Sequence, residues 1–379
     1  MEHPKIQIKE VESKADLKTF ISVSWQIYAD DPHWVPRLLA ERKSHLSPGN
    51  PFFKHARWKA WIAFREGQPV GRISAQIDEL YLARHDAETG FFGMLEGFED
   101  PEIFAALFGA AENWLKQQGM RKILGPFNLS INQEIGCLVE GFDSPPYMMM
   151  GHARPYYDRL VKAQGYEKEQ DTLAYELQQH MFGLPENIKR LVDRLSDKMV
   201  LRQVDRKNAA AELETMRDIF NDAWSENWGF VPFTREEFNR VGKDLFMLVP
   251  ADFTWIVEVD GEPAAFMVLM PNLNEAIADL NGRLFPFGWV KLLWRLKVKA
   301  PKTGRIPLMG VRKKHQHTRL GPALAFSTIR ALEKPAMKRE MEKIEMSWIL
   351  EQNQATRNII EKVGGVVTKR YRVYQKPLD

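Results

Sequence analysis

The sequence predicts an α/β protein of two tandem domains, each a mostly antiparallel mixed sheet flanked by helices, and three observations carry that reading. A hairpin grammar occurs twice: residues 61–78 read strand, turn at Glu66-Gly67-Gln68-Pro69, strand, and residues 254–271 read strand, turn at Asp260-Gly261-Glu262-Pro263, strand. Each turn supplies glycine where a tight hairpin needs a positive φ. A second grammar also occurs twice, since 157–175 and 356–374 both read as amphipathic helix, glycine stop and strand, the stops being Gly165 and Gly364-Gly365. The offsets agree, with Gly67 and Gly261 lying 194 residues apart and Gly165 and Gly364 lying 199 apart. A nearly constant offset of domain size is the mark of a duplicated unit.

Each half then reads in order as an early helix, an antiparallel hairpin, a further strand, a long helix, a strand, a helix and a final strand. In the second half the periodicity predicts helices over 212–227, 322–332 and 356–363, and strands over 308–312, 344–350 and 366–375. Antiparallel strands first and βαβα later imply a mixed sheet covered by helices on both faces. Between the halves, Pro185 stands where a helix opens ahead of Ile188, Leu191, Val192 and Leu195. The boundary is set at residue 180, giving domains 1–180 and 181–379.

Composition bounds the function. The 379 residues carry 53 Lys and Arg against 50 Asp and Glu, and 44% are hydrophobic, as in ordinary soluble globular proteins. A net charge of +3 provides no general attraction to nucleic acid, so no nucleic-acid partner is expected. The single cysteine, Cys137, excludes an intramolecular disulfide and a multi-cysteine metal site, and no metal is expected. Residues 1–16 lack the apolar core of a secretory signal, and no stretch reaches the roughly 18 apolar residues of a membrane span. The expected location is the cytoplasm.

The segment 308–324 carries the chemistry. An apolar strand leads into a loop holding Lys313, Lys314 and Arg319 with His315 and His317, and Gly321-Pro322 then opens a helix. Backbone amides and the dipole at a helix start favour an anion, and the basic side chains suit a pyrophosphate. The physical expectation is a phosphate-bearing cofactor; the plain alternative is a solvated connection.

Here the sequence resembles the GNAT acyltransferase family, whose loop has Gln or Arg, two residues, Gly, one residue, then Gly or Ala after a strand ending in Val. Val311 is followed by Gln316-His317-Thr318-Arg319-Leu320-Gly321, with Leu324 in the expected helix position. Arg319 replaces the family's first glycine, so it either pairs with a phosphate or weakens donor binding. The run Ser347 to Asn353, then Arg357 to Lys362 and Gly364-Gly365, resembles the family's fifth strand and following helix. Asn353 matches the family's asparagine, and Ile360 stands where many members have a tyrosine that protonates the departing thiolate. Tyr371 or Tyr374 substitutes only if the final strand brings it to the thiol; aromatic packing is the plainer reading. The first half lacks the cofactor loop, since Gly97-Phe98-Glu99-Asp100-Pro101 passes straight into a helix. The resemblance therefore covers almost the whole chain as a tandem protein with its donor site in the second half. It is strongest to a subgroup with Gly125-Pro126-Phe127-Asn128, Gly141 to Pro146, and Trp224 to Pro232.

The resemblance implies an N-acyltransferase using acetyl-CoA or another acyl-CoA, with a primary amine attacking the thioester directly. Val311, Lys313, Gln316, Arg319, Gly321 and Asn353 would bind the donor, with amides near Val311 holding the thioester carbonyl. Glu351, at the end of the predicted fifth strand, is the candidate base, with Asn353 beside it; its plain role is a carboxylate at a helix start. Asn128, Trp224, Asn227 and Trp228 are the candidate acceptor-binding residues.

The segment 284–299 interleaves Trp289, Val290, Leu292, Leu293, Trp294 and Leu296 with Lys291, Arg295, Lys297 and Lys299. That composition suits either a lipid interface or a helix packed on its own domain. It keeps a lipid or ceramide N-acylation variant in view, with peripheral membrane contact through these residues. The rival from another class is a binding protein that keeps the fold without turnover, which Arg319 and Ile360 favour.

Overall fold

The computed structural model describes residues 5–379, apart from the side chains of Asp244 and Lys297. The reading of the amino terminus thus falls partly outside the described residues, at Met1 to Pro4.

In chain order the first elements are β1 (Gln7–Glu10), α1 (Lys14–Ile27), α2 (Leu39–His45), β2 (Ala56–Arg65), β3 (Gln68–Asp78), α3 (Glu79–Leu82) and β4 (Thr89–Gly97). Then come α4 (Pro101–Gln117), β5 (Lys122–Gly125), β6 (Phe127–Asn128), β7 (Glu134–Ile135), β8 (Cys137–Glu140), α5 (Tyr157–Ala163) and β9 (Glu167–Gln178). The second series is α6 (Glu186–Leu195), β10 (Met199–Gln203), α7 (Ala209–Trp224), α8 (Arg235–Leu248), β11 (Thr254–Val259), β12 (Glu262–Pro271) and α9 (Leu273–Ile277). It ends with α10 (Gly288–Lys297), β13 (Thr303–Val311), α11 (Lys313–Gln316), α12 (Leu320–Lys338), β14 (Lys343–Leu350), α13 (Gln354–Lys362) and β15 (Val366–Pro377).

The chain divides into two compact units. The first takes residues 1–172, 277–288 and 369–379, and the second takes 173–276 and 289–368. In the first unit the sheet runs β1-β2-β3-β4-β5 and then the end of β15. All these pairs are antiparallel except β4 with β5. The last strand of the chain thus completes the sheet of the first unit. In the second unit the end of β9 is followed by β14-β13-β12-β11-β10, where β13 and β14 are parallel and the hairpin strands antiparallel. Both units are the mixed α/β sheets that the repeated grammar predicted.

Local chemistry explains the elements. Both hairpin turns have two residues with positive φ throughout, Glu66 at 50° and Gly67 at 75°, then Asp260 at 53° and Gly261 at 80°. That is the type I′ geometry whose twist matches the flanking strands. Helix α1 opens on a capping box between Ser13 and Asp16, α8 on one between Thr234 and Glu237, and α4 on Asp100 ahead of Pro101. Helix α12 runs six residues beyond its expected end, because Pro335 sits near its last turn and removes only one backbone bond there.

The core of the first unit gathers Phe20, Ile21, Val23, Ile27, Phe52 and Ile62 around α1. In the second unit, Leu324 of α12 packs on Val257, Val259, Ala264 and Ala265 of the hairpin. Burying each large side chain contributes roughly 1.5–3 kcal/mol.

Candidate functional site

In the second unit, β13 and β14 pair from Thr303 with Lys343 to Ile306 with Met346, and their pairing stops there. Beyond that point β13 continues to Val311, and the end of α7 is laced onto it. The Trp224 indole donates to the Met309 carbonyl at 2.7 Å, and its ring stacks on Phe220. Gln316 Nε2 donates to the carbonyls of Val311 at 2.8 Å and Ala223 at 3.0 Å. The amide of Lys313 donates to Asp222 at 2.8 Å. The structure therefore brings Val311, Lys313, Gln316 and Trp224 together, with Asn227 and the half-buried Trp228 in the turn that ends α7. Asp222 and Glu226, which hold this loop, were not singled out from the sequence.

The loop has the form of an anion site, though its charges are partly spent. Gly321 packs so closely that a Cβ there would lie 2.6 Å from the His315 carbonyl and 2.8 Å from that of Gln316. Arg319 is exposed at the start of the 19-residue α12 and makes no ion pair among the described residues. Lys313 pairs with Glu226 at 2.6 Å and Lys314 with Glu262, both acidic partners being exposed. The amides of Leu320 and Gly321 turn back onto Thr318, and Pro322 has none to offer. What the loop still offers an anion is therefore the exposed guanidinium of Arg319.

Glu351 lies just past β14, and its carbonyl accepts from Arg357 at 2.9 Å. Asn353 caps α13, its side chain accepting from the Thr356 amide at 3.1 Å. Ile360 is buried beneath Gly365, filling core where the family tyrosine would stand. Of the alternative tyrosines, Tyr371 is wholly buried, and Tyr374 donates to Asp158 at 2.7 Å. Burial, with Cys137 and Asp158 nearby, pushes the Tyr374 hydroxyl far above its ordinary range.

The first unit holds a small cleft of about 110 Å³. Strands β4 and β5 pair from Thr89 with Lys122 to Phe91 with Leu124. Beyond that pairing, β4 bulges between Arg72 and Ser74 of its neighbour, with Met94 at a φ of 49°. Asn128 holds the bulge by accepting from the Met94 amide at 2.7 Å, and its own amide donates to Glu134 at 3.0 Å. Asn128 thus lines the cleft, as do Glu134 and Arg37, which form an ion pair. Burial alone would raise the Glu134 carboxyl, but Arg37, Arg42 and the Asn128 bond outweigh it and hold it low.

Deeper in this cleft Glu96 accepts from the hydroxyls of Tyr28 and Tyr157, each at 2.7 Å, and faces Arg72 at 3.6 Å. Burial pushes its carboxyl up, only partly opposed by Arg72 and the two tyrosines. His152 Nε2–H donates to the Asp31 carboxylate at 2.9 Å, and burial holds the ring below its ordinary value. Sequence reading missed Glu96 and His152; the one signal for Glu96 is a carboxylate inside the apolar run of β4. No group of three or more metal-ligating side chains occurs among the described residues.

The comparisons with known proteins agree with this fold. Residues 213–365 match the model of the acetyltransferase (GNAT) family. The chain is 50% identical to "Protein YghO" of Escherichia coli (strain K12) over 366 residues, covering 97% of this chain and 94% of that one. It is 46% identical over 376 residues to the "Bacterial ceramide synthase" of Caulobacter vibrioides (strain NA1000 / CB15N), covering 98% of each. Among solved structures, a tandem GNAT protein from the clavulanic acid biosynthesis pathway matches over 99% of both chains with a TM-score of 0.55 and 12% identity. The fold and these relatives define an N-acyltransferase. The chain belongs to the GNAT family, as a member carrying the fold in tandem.

Proposed function

We propose that this N-acyltransferase moves the acyl group of an acyl-CoA to a primary amine, by direct attack on the thioester through a tetrahedral adduct. The observation that carries the reading is the loop at the start of α12, where Gly321 lets the His315–Gln316 backbone pack against the helix start and Arg319 stands exposed to meet a phosphate. Val311, Lys313 and Gln316 would complete the donor site, with Asn353 at the start of α13. In this reading the tandem repeats are 1–180 and 181–379, with the donor held by the second. Glu351 is a candidate base near that site, and Trp224, Asn227, Trp228 and Asn128 are candidate acceptor contacts. The protein would work in the cytoplasm.

A long-chain version is favoured by a specific observation, the 46% identity over 98% of both chains to a relative named bacterial ceramide synthase. Ceramides are N-acylated long-chain amino alcohols, so the donor would be a long-chain acyl-CoA and the acceptor a long-chain amine. The exposed face of α10 supports this reading. Trp289, Val290, Leu293 and Trp294 are each about half exposed and alternate with Lys291 and the exposed Lys299 beyond the helix end. Such a face suits peripheral contact with an anionic lipid surface. No described helix is long and apolar enough to cross a membrane.

A thermal-shift series with coenzyme A, acetyl-CoA and palmitoyl-CoA, the last with a detergent control, tests the donor site. Stabilisation by coenzyme A that disappears in Arg319→Glu supports the reading. No shift with any thioester contradicts it.

A further inference from the structure

We propose that the cleft of the first unit is a ligand site of its own, shaped for a small uncharged molecule that carries two hydroxyl groups on a short alkyl chain. Every residue that forms it belongs to the first unit. The site therefore stands or falls apart from the acyl transfer proposed above.

Three lining residues on three separate segments each carry a buried polar atom with no hydrogen-bond partner among the described residues. They are Ser24 Oγ on α1, Arg72 Nε on β3 and His152 Nδ1 ahead of α5. Ser24 and the side chain of His152 are each 5% exposed. Folded proteins leave few such atoms, because each gives up its solvation without a bond in return. Three of them around one cleft point to a ligand that supplies the bonds.

The bonds around these atoms hold them in place. Arg72 Nη1 donates to the carbonyls of Phe20 at 2.8 Å and Ile21 at 3.3 Å, one turn before Ser24 on the same helix, and Nη2 faces Glu96 at 3.6 Å. Only Nε–H of that guanidinium is left without a role. His152 Nε2 lies 2.9 Å from Asp31, whose other oxygen accepts the His33 amide at 2.9 Å. A carboxylate only accepts, so the shared proton sits on Nε2 and Nδ1 keeps a bare lone pair. Tyr28 joins the two sides, its hydroxyl donating to Glu96 at 2.7 Å and lying 3.3 Å from the His152 carbonyl.

Charge and bonding type select the ligand. Arg37 pairs with Glu134, Arg42 with Glu41 through two bonds of 2.6 and 2.7 Å, and Arg72 with Glu96, so the charges of the walls are matched within the protein. An ammonium or carboxylate would enter without a counter-charge, which disfavours both. His152 Nδ1 can only accept and Arg72 Nε–H can only donate, while the Ser24 hydroxyl does either. Hydroxyl groups both donate and accept, so a diol satisfies all three. Ile21, Trp25, Trp34 and Leu46 line the same cleft and would cover a short alkyl chain. A volume of about 110 Å³ is several times what one water needs, and it suits a ligand of a few carbons.

The test titrates the full-length protein at neutral pH with three probes of one chain length: 1,2-hexanediol, hexylamine and hexanoate. Nitrogen NMR follows the His152 Nδ1 signal, assigned by its loss in His152→Gln. The diol should move that signal along a saturating curve with a Kd on the order of 1 mM, the scale for so small a ligand. The cationic and anionic probes should bind at least about tenfold more weakly. A shift that grows with the diol without saturating, or none, means a water-filled cleft and overturns the proposal. Tighter binding of hexylamine or hexanoate overturns the assignment of an uncharged ligand.

Ser24→Ala supplies the second arm. The hydroxyl it removes has no partner in the protein, so the melting temperature should hold or rise slightly. The diol should bind about fivefold more weakly, the scale of one neutral hydrogen bond. Unchanged diol affinity in Ser24→Ala places the binding elsewhere and overturns the site. Coenzyme A takes no part in these readouts, so their failure leaves the transfer reading intact and a failed transfer leaves the site standing.

Discussion

Arg372, on the last strand of the chain, holds the buried carboxylate of Asp171 with two hydrogen bonds, 2.9 and 3.0 Å long. Both residues belong to the first unit, and Arg370 and Lys168 add further contacts to the same carboxylate, each at 3.3 Å. Asp171→Asn should cost about 2–4 kcal/mol in chemical denaturation, because it strips a buried pair of one charge. Burial alone would raise the Asp171 carboxyl, but Arg372 and Lys168 hold it below its ordinary range. Its contribution is therefore complete above the unfolded value near 4 and is lost as pH falls through the lower folded value. The variant should show a shallower loss of stability below about pH 4.

Removing residues 369–379 should be worse than any point change. That segment pairs with β5 through Tyr374 to Pro377 and with β8 through Arg370 to Arg372. Its loss leaves two buried strand edges unpaired. The expected outcome is aggregation, read by size-exclusion chromatography, whereas trimming only Leu378 and Asp379 should leave the sheet paired.

Arg305 and Glu345 are both buried in the second unit, at 3.5 Å, with Ser347 accepting from Arg305 at 2.9 Å and donating to Glu345 at 2.7 Å. Arg305→Met leaves a buried carboxylate without its guanidinium and should cost about 3–5 kcal/mol. The double variant Arg305→Met, Glu345→Met should recover most of that loss. A double variant as unstable as the single one would show that packing, and not charge, dominates here.

Gly321→Ala tests the donor loop separately from stability. The new Cβ meets two backbone carbonyls, which cannot swing aside as a flexible side chain would. The loop must move, so stabilisation by coenzyme A should fall while the melting temperature of the free protein drops only a few degrees. Gly67→Ala offers a contrast, because its Cβ meets nothing within 4 Å and the cost is the positive φ alone.

Cys137 lines the first-unit cleft and is buried, and burial pushes its thiol well above its ordinary value. As the single cysteine, it reports on that cleft without interference. Native protein at pH 8 should react with N-ethylmaleimide far more slowly than unfolded protein.

Trp289→Glu with Trp294→Glu should abolish co-sedimentation with anionic phosphatidylglycerol vesicles and leave coenzyme A binding unchanged. Neutral vesicles should bind the unaltered protein weakly, because Lys291 and Lys299 lose their counter-charge.

The hairpins were legible because Gly67 and Gly261 are local signals, read within four residues, and the loop at Gln316 to Gly321 was legible for the same reason. The acidic partners Asp222 and Glu226 were not, since their pairing with Lys313 depends on how α7 meets β13. The cleft was the larger omission. Asp31 and His152 lie 121 residues apart, and only the tertiary fold makes them a dyad. Asn128 was picked out as a short polar residue in a turn-rich loop, and its bond to the Met94 amide depends on a bulge that no periodicity displays. The exchange of the final strand into the first unit was likewise invisible, because β15 has the same grammar whichever sheet it completes.

The most direct test is thiol release from palmitoyl-CoA with and without sphinganine, with the organic product identified by mass. The account predicts release that depends on the amine and matches N-acylated product one for one. Stabilisation by coenzyme A with no amide formed from any primary amine, short or long, would contradict it.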